Sequence, residues 1–162
     1  MAWPTWRRRE FSRALLAGAM LPGVARAKDS ALPVPESLPA AAELATRLGE
    51  PLVLLVTRPG CPFCELVRRS YLLPARQNAA LQSWQLDVTN HTTALLGFDR
   101  KLTTAALQAA AWKARFAPTV LFLGAQGQAL AERLVGIAVP DFYGAYLEDR
   151  LATARQVLAE QR

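Results

Sequence analysis

Both cysteines of the chain lie in the stretch Arg58-Pro59-Gly60-Cys61-Pro62-Phe63-Cys64, directly after a short apolar run. That run, residues 52–56 (LVLLV), is continuous rather than alternating, which is typical of a strand buried on both faces of a sheet. Apolar spacing after the second cysteine favours a helix, and Pro62 suits its first turn because its missing N–H would have no partner there. The pattern therefore predicts a strand, a tight loop and a helix with Cys61 at its start.

Two cysteines at such a junction form a redox-active arrangement. At a helix N-terminus, unpaired amide groups and the helix dipole favour the thiolate form of Cys61. Cys64 lies one turn further along the same face, so the two sulfurs can close a small disulfide ring. We expect Cys61 to attack a substrate disulfide and Cys64 to resolve the mixed disulfide. We expect the reactivity of the dithiol to be tuned by Arg58, Pro62 and Phe63.

Other uses of the two cysteines stay open on the residues alone. Half of a zinc site would need further ligands, but the chain has only 2 Cys and 1 His. A static structural disulfide would stabilise weakly, because so small a ring loses little chain entropy on closing. Copper(I) binding would want Met near the dithiol, and both methionines lie in the first 27 residues. A coincidental pair of buried thiols is the remaining alternative.

Periodicity and capping residues predict the rest of the fold. The expected order is α-β-α-β-α-β-β-α, with helices over 37–48, 65–73, 104–116 and 141–158, and strands over 52–56, 83–88, 119–123 and 129–135. Ser37 and Thr103 or Thr104 are candidate N-caps, and Pro74 is expected to end or bend its helix. Residues 91–102 have no clear period and are predicted as loop or short helix. This order predicts an α/β fold: a four-stranded mixed sheet with helices on both faces.

Few side chains outside the dithiol are candidates for a chemical role. His91 is expected at the surface, and Arg68 and Arg69 on a solvated helix face. In the helix over 104–116, the candidate buried face consists of Leu107, Ala110, Ala111 and Ala114. Four aromatic side chains are expected to pack: Trp84, Trp112, Tyr143 and Tyr146.

Residues 1–27 have the layout of an export signal. Arg8-Arg9-Glu10-Phe11-Ser12-Arg13 resembles a twin-arginine motif, a mildly apolar run follows, and Ala25-Arg26-Ala27 is a small-x-small cleavage pattern. The apolar run is shorter than the roughly 20 residues that a spanning helix needs. We expect cleavage near Ala27 and a periplasmic protein, with a Sec signal or an uncleaved anchor as alternatives. Residues 28–36 are predicted as a linker, and 37–162 as one domain.

Charge and composition exclude some classes of function. The chain carries a net charge of +6, but residues 1–27 hold five basic residues and one acidic residue, and the rest is nearly balanced. A nucleic-acid-binding role therefore loses its main support. Hydrophobic residues make up 52% and charged residues 20%, which excludes a wholly disordered chain.

A second motif, Ala117-Pro118-Thr119, lies between a predicted helix and an apolar strand. With the dithiol, and with Gly136 ahead of the last helix, it makes the chain over 37–158 resemble the thioredoxin family. The resemblance implies a thioredoxin fold and a cis peptide bond between Ala117 and Pro118, with Pro118 in the substrate loop. It also implies that the Ala117 backbone contacts the bound substrate chain.

Within that family the dithiol stretch, together with Tyr71-Leu72-Leu73-Pro74, looks most like small periplasmic thioredoxin-related proteins of sulfur-oxidation (Sox) and similar systems. This resemblance implies a monomeric thiol:disulfide oxidoreductase that reduces protein disulfides, needs no dissociable cofactor and draws electrons from a membrane partner. A disulfide-forming oxidase and a copper(I) metallochaperone are the alternatives. The family's buried acid, on the strand before the dithiol, has no counterpart here, where Leu55 stands.

Overall fold

The computed structural model describes Met1, residues 31–79 and residues 81–161. Apart from Met1, the export signal predicted over 1–27 lies outside the described residues. Within the part that is described, no helix combines the length and the apolar character that crossing a membrane requires.

The elements follow the predicted order with one insertion, a two-stranded hairpin over residues 94–104. The helices are α1 Leu38–Arg47, α2 Pro62–Val67, α3 Leu73–Gln77, α4 Ala105–Ala111 and α5 Tyr143–Glu160. A π-helical segment, Arg68–Leu72, joins α2 to α3, and a 3₁₀ turn, Pro140–Phe142, precedes α5. The strands are β1 Leu52–Thr57, β2 Ser83–Asp87, β3 Ala94–Leu96, β4 Leu102–Thr104, β5 Thr119–Leu123 and β6 Leu134–Val135.

The main sheet has four strands in the order β2-β1-β5-β6, so the predicted mixed sheet is confirmed. β1 runs parallel to β2 and antiparallel to β5, and β5 runs antiparallel to β6. Every residue of β1 is buried, as its continuous apolar pattern predicts. Because β1 lies in the interior of the sheet, the dithiol loop that follows it starts from a fixed point.

Helices cover both faces of the sheet, and alternate residues of β1 separate two cores. Leu52, Leu54 and Val56 belong to the core formed with α1 and α4. Val53 and Leu55 belong to the core formed with α5 and the dithiol helix, which comprises α2, the π-helical segment and α3. This alternation follows from the two-residue period of a strand.

Two predicted N-caps form as expected. The Oγ of Ser37 accepts a hydrogen bond from the Ala40 amide at 3.3 Å, and Oγ1 of Thr104 accepts one from the Leu107 amide at 3.3 Å. Each bond satisfies an amide that has no partner inside its helix.

Of the two outcomes predicted for Pro74, an end to the helix is wrong, because the helix after the dithiol continues past it. The Leu73 amide donates to the Arg68 carbonyl, which widens the helix by one residue just before the proline. Pro74 then lies in the first turn of α3, where a missing N–H breaks no hydrogen bond, and the helix continues to Gln77.

Three further boundaries differ from the predictions. Residues 91–102 contribute to a hairpin in which β3 pairs with β4, and strands of three residues are too short to display a period. The return strand pairs with β5 only over Leu134–Val135, apart from one bridge between Ala129 and Leu123. α4 ends at Ala111, and the residues it buries are Ala105, Ala106 and Ala109, while Leu107 is exposed.

The described part of the predicted linker packs against the domain. Leu32 is buried, and the Pro33 carbonyl accepts a hydrogen bond from the Gln85 amide at 3.0 Å. The Glu36 carbonyl accepts another from the Leu96 amide at 2.9 Å. Residues 31–36 therefore lie along the outer edge of β2, and Leu32 adds to the core beside the dithiol helix.

Candidate active site

Cys61 is the N-cap residue of α2. Its Sγ accepts a hydrogen bond from the Cys64 amide at 3.2 Å, and the Glu65 amide donates to the Cys61 carbonyl at 3.1 Å. Gly60, with φ +69°, supplies the left-handed turn that leads from the strand into this cap. The sulfur of Cys61 therefore lies where helix amides stabilise negative charge.

The two cysteines form a disulfide and differ in access to solvent. Cys64 is 1% exposed, whereas Cys61 is half-buried. An incoming sulfur can reach Cys61 and cannot reach Cys64 without displacing protein atoms. The geometry thus gives the two residues the roles of nucleophile and resolving thiol.

The Ala117–Pro118 peptide bond is cis, and its loop lies beside the dithiol. The Ala117 carbonyl oxygen is 3.8 Å from Cys61 Sγ. The loop is held on both sides, because the Gly136 amide donates to the Pro118 carbonyl at 2.8 Å and the Thr119 hydroxyl donates to the Phe116 carbonyl at 2.7 Å. The fold therefore brings together the two motifs that the sequence places far apart.

The surface next to this pair is apolar and basic. Phe63, two residues after Cys61, is 55% exposed, and Phe116, directly before Ala117, is 71% exposed. Arg58 and Pro62 are exposed as well. An exposed arginine acts on the Cys61 thiolate through solvent, so its contribution is at most about 1 kcal/mol. Phe116 was not predicted as a site residue, although an aromatic residue directly before Ala-Pro-Thr was a usable signal.

Arg68 is buried, and its predicted place on a solvated helix face is wrong. The residue is 8% exposed, and it forms an ion pair with Glu65. Its Nε donates to Gln85 Oε1 at 2.8 Å, and its NH2 group donates to Thr57 Oγ1 at 3.3 Å. Arg69 has a side chain that is 68% exposed, as predicted, and lies 3.3 Å from the same carboxylate.

The dithiol helix packs on α5 through two tyrosines. The rings of Tyr71 and Tyr143 have centroids 5.1 Å apart, and a Cβ on Gly144 would stand 3.2 Å from Tyr71 Cε1. Tyr143 is 3% exposed, and burial, with a smaller contribution from Tyr71, raises the pKa of Tyr143. Tyr143 packs as predicted, whereas Tyr146 is 46% exposed.

Comparison with known proteins decides the family. A family model described as a thioredoxin-like domain matches residues 38–151. The chain belongs to the thioredoxin-like family. None of the curated proteins compared matches this thioredoxin-like protein.

Solved thioredoxin structures share the fold of this thioredoxin-like protein. Thioredoxin O2 from Arabidopsis thaliana in its oxidised state is 16% identical, with a TM-score of 0.50 over 75% of this chain and 96% of that chain. A poplar thioredoxin h mutant is 16% identical, with a TM-score of 0.50 over 78% of this chain and 87% of that chain. Wild-type poplar thioredoxin h is 20% identical, with a TM-score of 0.47 over 68% and 85%.

The family and the Cys61–Cys64 disulfide make this thioredoxin-like protein a thiol-disulfide oxidoreductase. Its redox group is formed by its own side chains. In the ranges 31–79 and 81–161, no group of three or more His, Cys, Asp or Glu side chains could hold a metal ion. His91 is exposed, as predicted.

Proposed function

We propose that this thioredoxin-like protein is a periplasmic reductase of protein disulfides. The observation that carries the proposal is the position of Cys61: it is half-exposed at a helix N-terminus, 3.8 Å from the Ala117 carbonyl, with the buried Cys64 behind it. One partly accessible sulfur beside the partly accessible Ala117 fits a substrate that is itself a polypeptide.

The reaction proceeds through two disulfide exchanges. In the reduced protein the Cys61 thiolate attacks one sulfur of a substrate disulfide, forming a Cys61–substrate bond and releasing the other substrate sulfur as a thiolate. The Cys64 thiolate then attacks Cys61, forming the Cys61–Cys64 disulfide and releasing the second substrate thiolate. Both substrate thiolates take protons from water, so two electrons pass from the protein to its substrate.

The surface beside the dithiol supports a chain-like substrate. Phe63 lies two residues after Cys61 and Phe116 directly before Ala117, and both rings are exposed to an extended segment that passes Ala117. These rings offer apolar contact area, while Arg58 favours acidic neighbours of the substrate cysteine.

The proposed location of the protein and the proposed direction of electron transfer rest on the sequence. The signal-like residues 1–27 support export, and the resemblance to sulfur-oxidation proteins supports the reductive direction. Because the periplasm is oxidising, a reductase there needs a steady electron supply, so we include a membrane electron-transfer partner in the proposal. The protein is proposed to act as a monomer.

Trapping in cells tests the proposal. A Cys64→Ser variant cannot resolve the mixed disulfide, so we expect a complex with a periplasmic protein that dissociates on addition of reductant. A variant that also carries Cys61→Ser is the matched control and should capture nothing. Rapid acid quenching with thiol labelling should find the wild-type dithiol mainly reduced. A mainly oxidised dithiol would instead indicate an oxidase, and absence of any complex would contradict a protein substrate.

A further inference from the structure

Arg68 is a buried, positively charged residue one helical turn after the resolving cysteine, Cys64. Its amide donates a hydrogen bond to the Cys64 carbonyl, so the two residues are one α-helical turn apart. At this spacing two side chains are neighbours, with Cβ atoms about 6 Å apart. Arg68 is 8% exposed and Cys64 is 1% exposed, so both lie on the buried side of the dithiol helix.

Three elements hold the guanidinium in this place. Burying a charge is costly unless hydrogen bonds and an opposite charge compensate it. The partners of Arg68 are Gln85 on β2, Thr57 at the end of β1, and Glu65 on α2. A side chain that only covered the helix surface would need none of these bonds to the sheet.

The side chains of Glu65, Arg68 and Arg69 form a cluster with a net positive charge. Glu65 is shared between Arg68 and Arg69, so the three side chains together carry one positive charge. Only Arg68 is buried, and a charge in a region of low dielectric acts more strongly on its neighbours than one in water.

Among the described residues, the two strands beside this pair offer few carboxylates. β1 has the sequence LVLLVT and offers no ionisable group, and on β2 Gln85 occupies the position opposite Leu55. Asp87, opposite Thr57, has its Oδ1 engaged by the amide and the hydroxyl of Thr89, each at 2.8 Å. Glu65 therefore remains the carboxylate that bonds to the Arg68 guanidinium.

We propose that Arg68 is a positioning residue for the resolving step, whose buried charge stabilises the Cys64 thiolate in place of a neighbouring carboxylate base. This inference rests on the proposed exchange at Cys61. In the mixed disulfide, Cys64 gives its proton to water and attacks Cys61 as a thiolate. The Cys61–Cys64 bond forms, the Cys61–substrate bond breaks, and the substrate sulfur leaves with the electron pair.

Titration of Cys64 alone tests the electrostatic part. In a Cys61→Ser background, Cys64 is the single thiol, and its thiolate is followed by ultraviolet absorbance against pH. We expect Arg68→Met to lower the ratio of thiolate to thiol at Cys64 about tenfold, one pKa unit. Arg68→Lys should restore most of it because the charge returns. Arg69→Met, which removes an exposed partner of the same Glu65, is the matched control and should change the ratio less than about twofold.

Kinetics test the resolving step itself. With both cysteines present, reduced protein and an aromatic disulfide reagent release one thiolate when Cys61 reacts and a second when Cys64 resolves the adduct. Arg68→Met should leave the first release unchanged and slow the second about threefold, because the tenfold loss of thiolate is partly offset by the greater nucleophilicity of a more basic thiol.

The inference would be overturned if the ratio of thiolate to thiol at Cys64 were the same with Arg68 and with Arg68→Met. Circular dichroism must show that both proteins are folded. If Arg68→Met does not fold, Arg68→Lys and Arg68→Gln make the same comparison, since the first keeps the charge and the second keeps only hydrogen bonding. Failure of the proposed function would look different: the wild-type protein would release both thiolates from the small reagent and still not reduce any protein disulfide.

Discussion

Replacing Tyr143 with Phe should stabilise the protein, although the tyrosine is buried beside the dithiol helix. Its hydroxyl is buried and has no hydrogen-bond partner among the described residues. Burying a hydroxyl without a partner costs about 1–3 kcal/mol, while the ring contact with Tyr71 survives in Phe. We expect Tyr143→Phe to raise the free energy of unfolding by about 1 kcal/mol at neutral pH.

The same substitution should change how stability depends on pH. Burial raises the pKa of Tyr143 in the folded protein, whereas in the unfolded chain it ionises near its ordinary value of 10.0. Above that pH the folded state binds more protons than the unfolded state, so stability falls as pH rises. At pH 11 this one group costs about 1 kcal/mol, so the advantage of the Phe variant should grow to about 2 kcal/mol.

Urea unfolding of both proteins at neutral pH and at pH 11 measures the two differences. Tyr146→Phe is the matched control, because Tyr146 lies on the same helix and is 46% exposed, and its stability should be unchanged at both pH values. A Tyr143→Phe variant that is less stable than wild type would mean that the hydroxyl has a favourable partner, and the reasoning would fail. An advantage that does not grow with pH would refute the ionisation argument alone.

The remaining predictions concern the dithiol and export. Reduced protein treated with one equivalent of alkylating agent should be modified at Cys61, and preferential labelling of Cys64 would reverse the assigned roles. Equilibration with glutathione should give a potential of about −240 to −210 mV, against about −270 mV for thioredoxin, because the helix N-terminus stabilises the Cys61 thiolate and β1 supplies no buried carboxylate to oppose it. Arg58→Gln should move that potential by less than about 20 mV, since an exposed charge is screened; a larger shift would contradict its exposed position. Changing Arg8 and Arg9 together to Lys should leave precursor in the cytoplasm, and normal export with a new N-terminus would point to the Sec route.

Local signals made the central part of the fold predictable. β5 has the bounds predicted for it, and β1 extends the predicted run by one residue, because continuous apolar runs between turn residues admit few alternatives. Ser37 and Thr104 mark their helix starts because capping needs only a side chain and a nearby amide. Each of the two site motifs was visible as a short sequence pattern. Their proximity in the fold was predicted only from the family resemblance.

What could not be predicted depends on partners that are distant in sequence. Arg68 looks like any arginine on a polar helix face until Gln85 and Thr57 are known to lie beneath it. The β3–β4 hairpin is defined by three cross-strand pairs, which leave no periodic pattern. Leu107 was expected in the core because it is apolar, but the face of α4 that meets the sheet is occupied by small alanines.

The exchange of a protein disulfide at Cys61 tests the account most directly. Reduced wild-type protein is mixed with a model protein disulfide, such as that of insulin, and the products are identified by intact mass and peptide mapping. We predict that the wild type ends as the Cys61–Cys64 disulfide, that Cys64→Ser stops as a mixed disulfide at Cys61, and that Cys61→Ser reacts with nothing. A Cys61→Ser protein that still reduces the substrate, or an adduct mapped to Cys64, would contradict it.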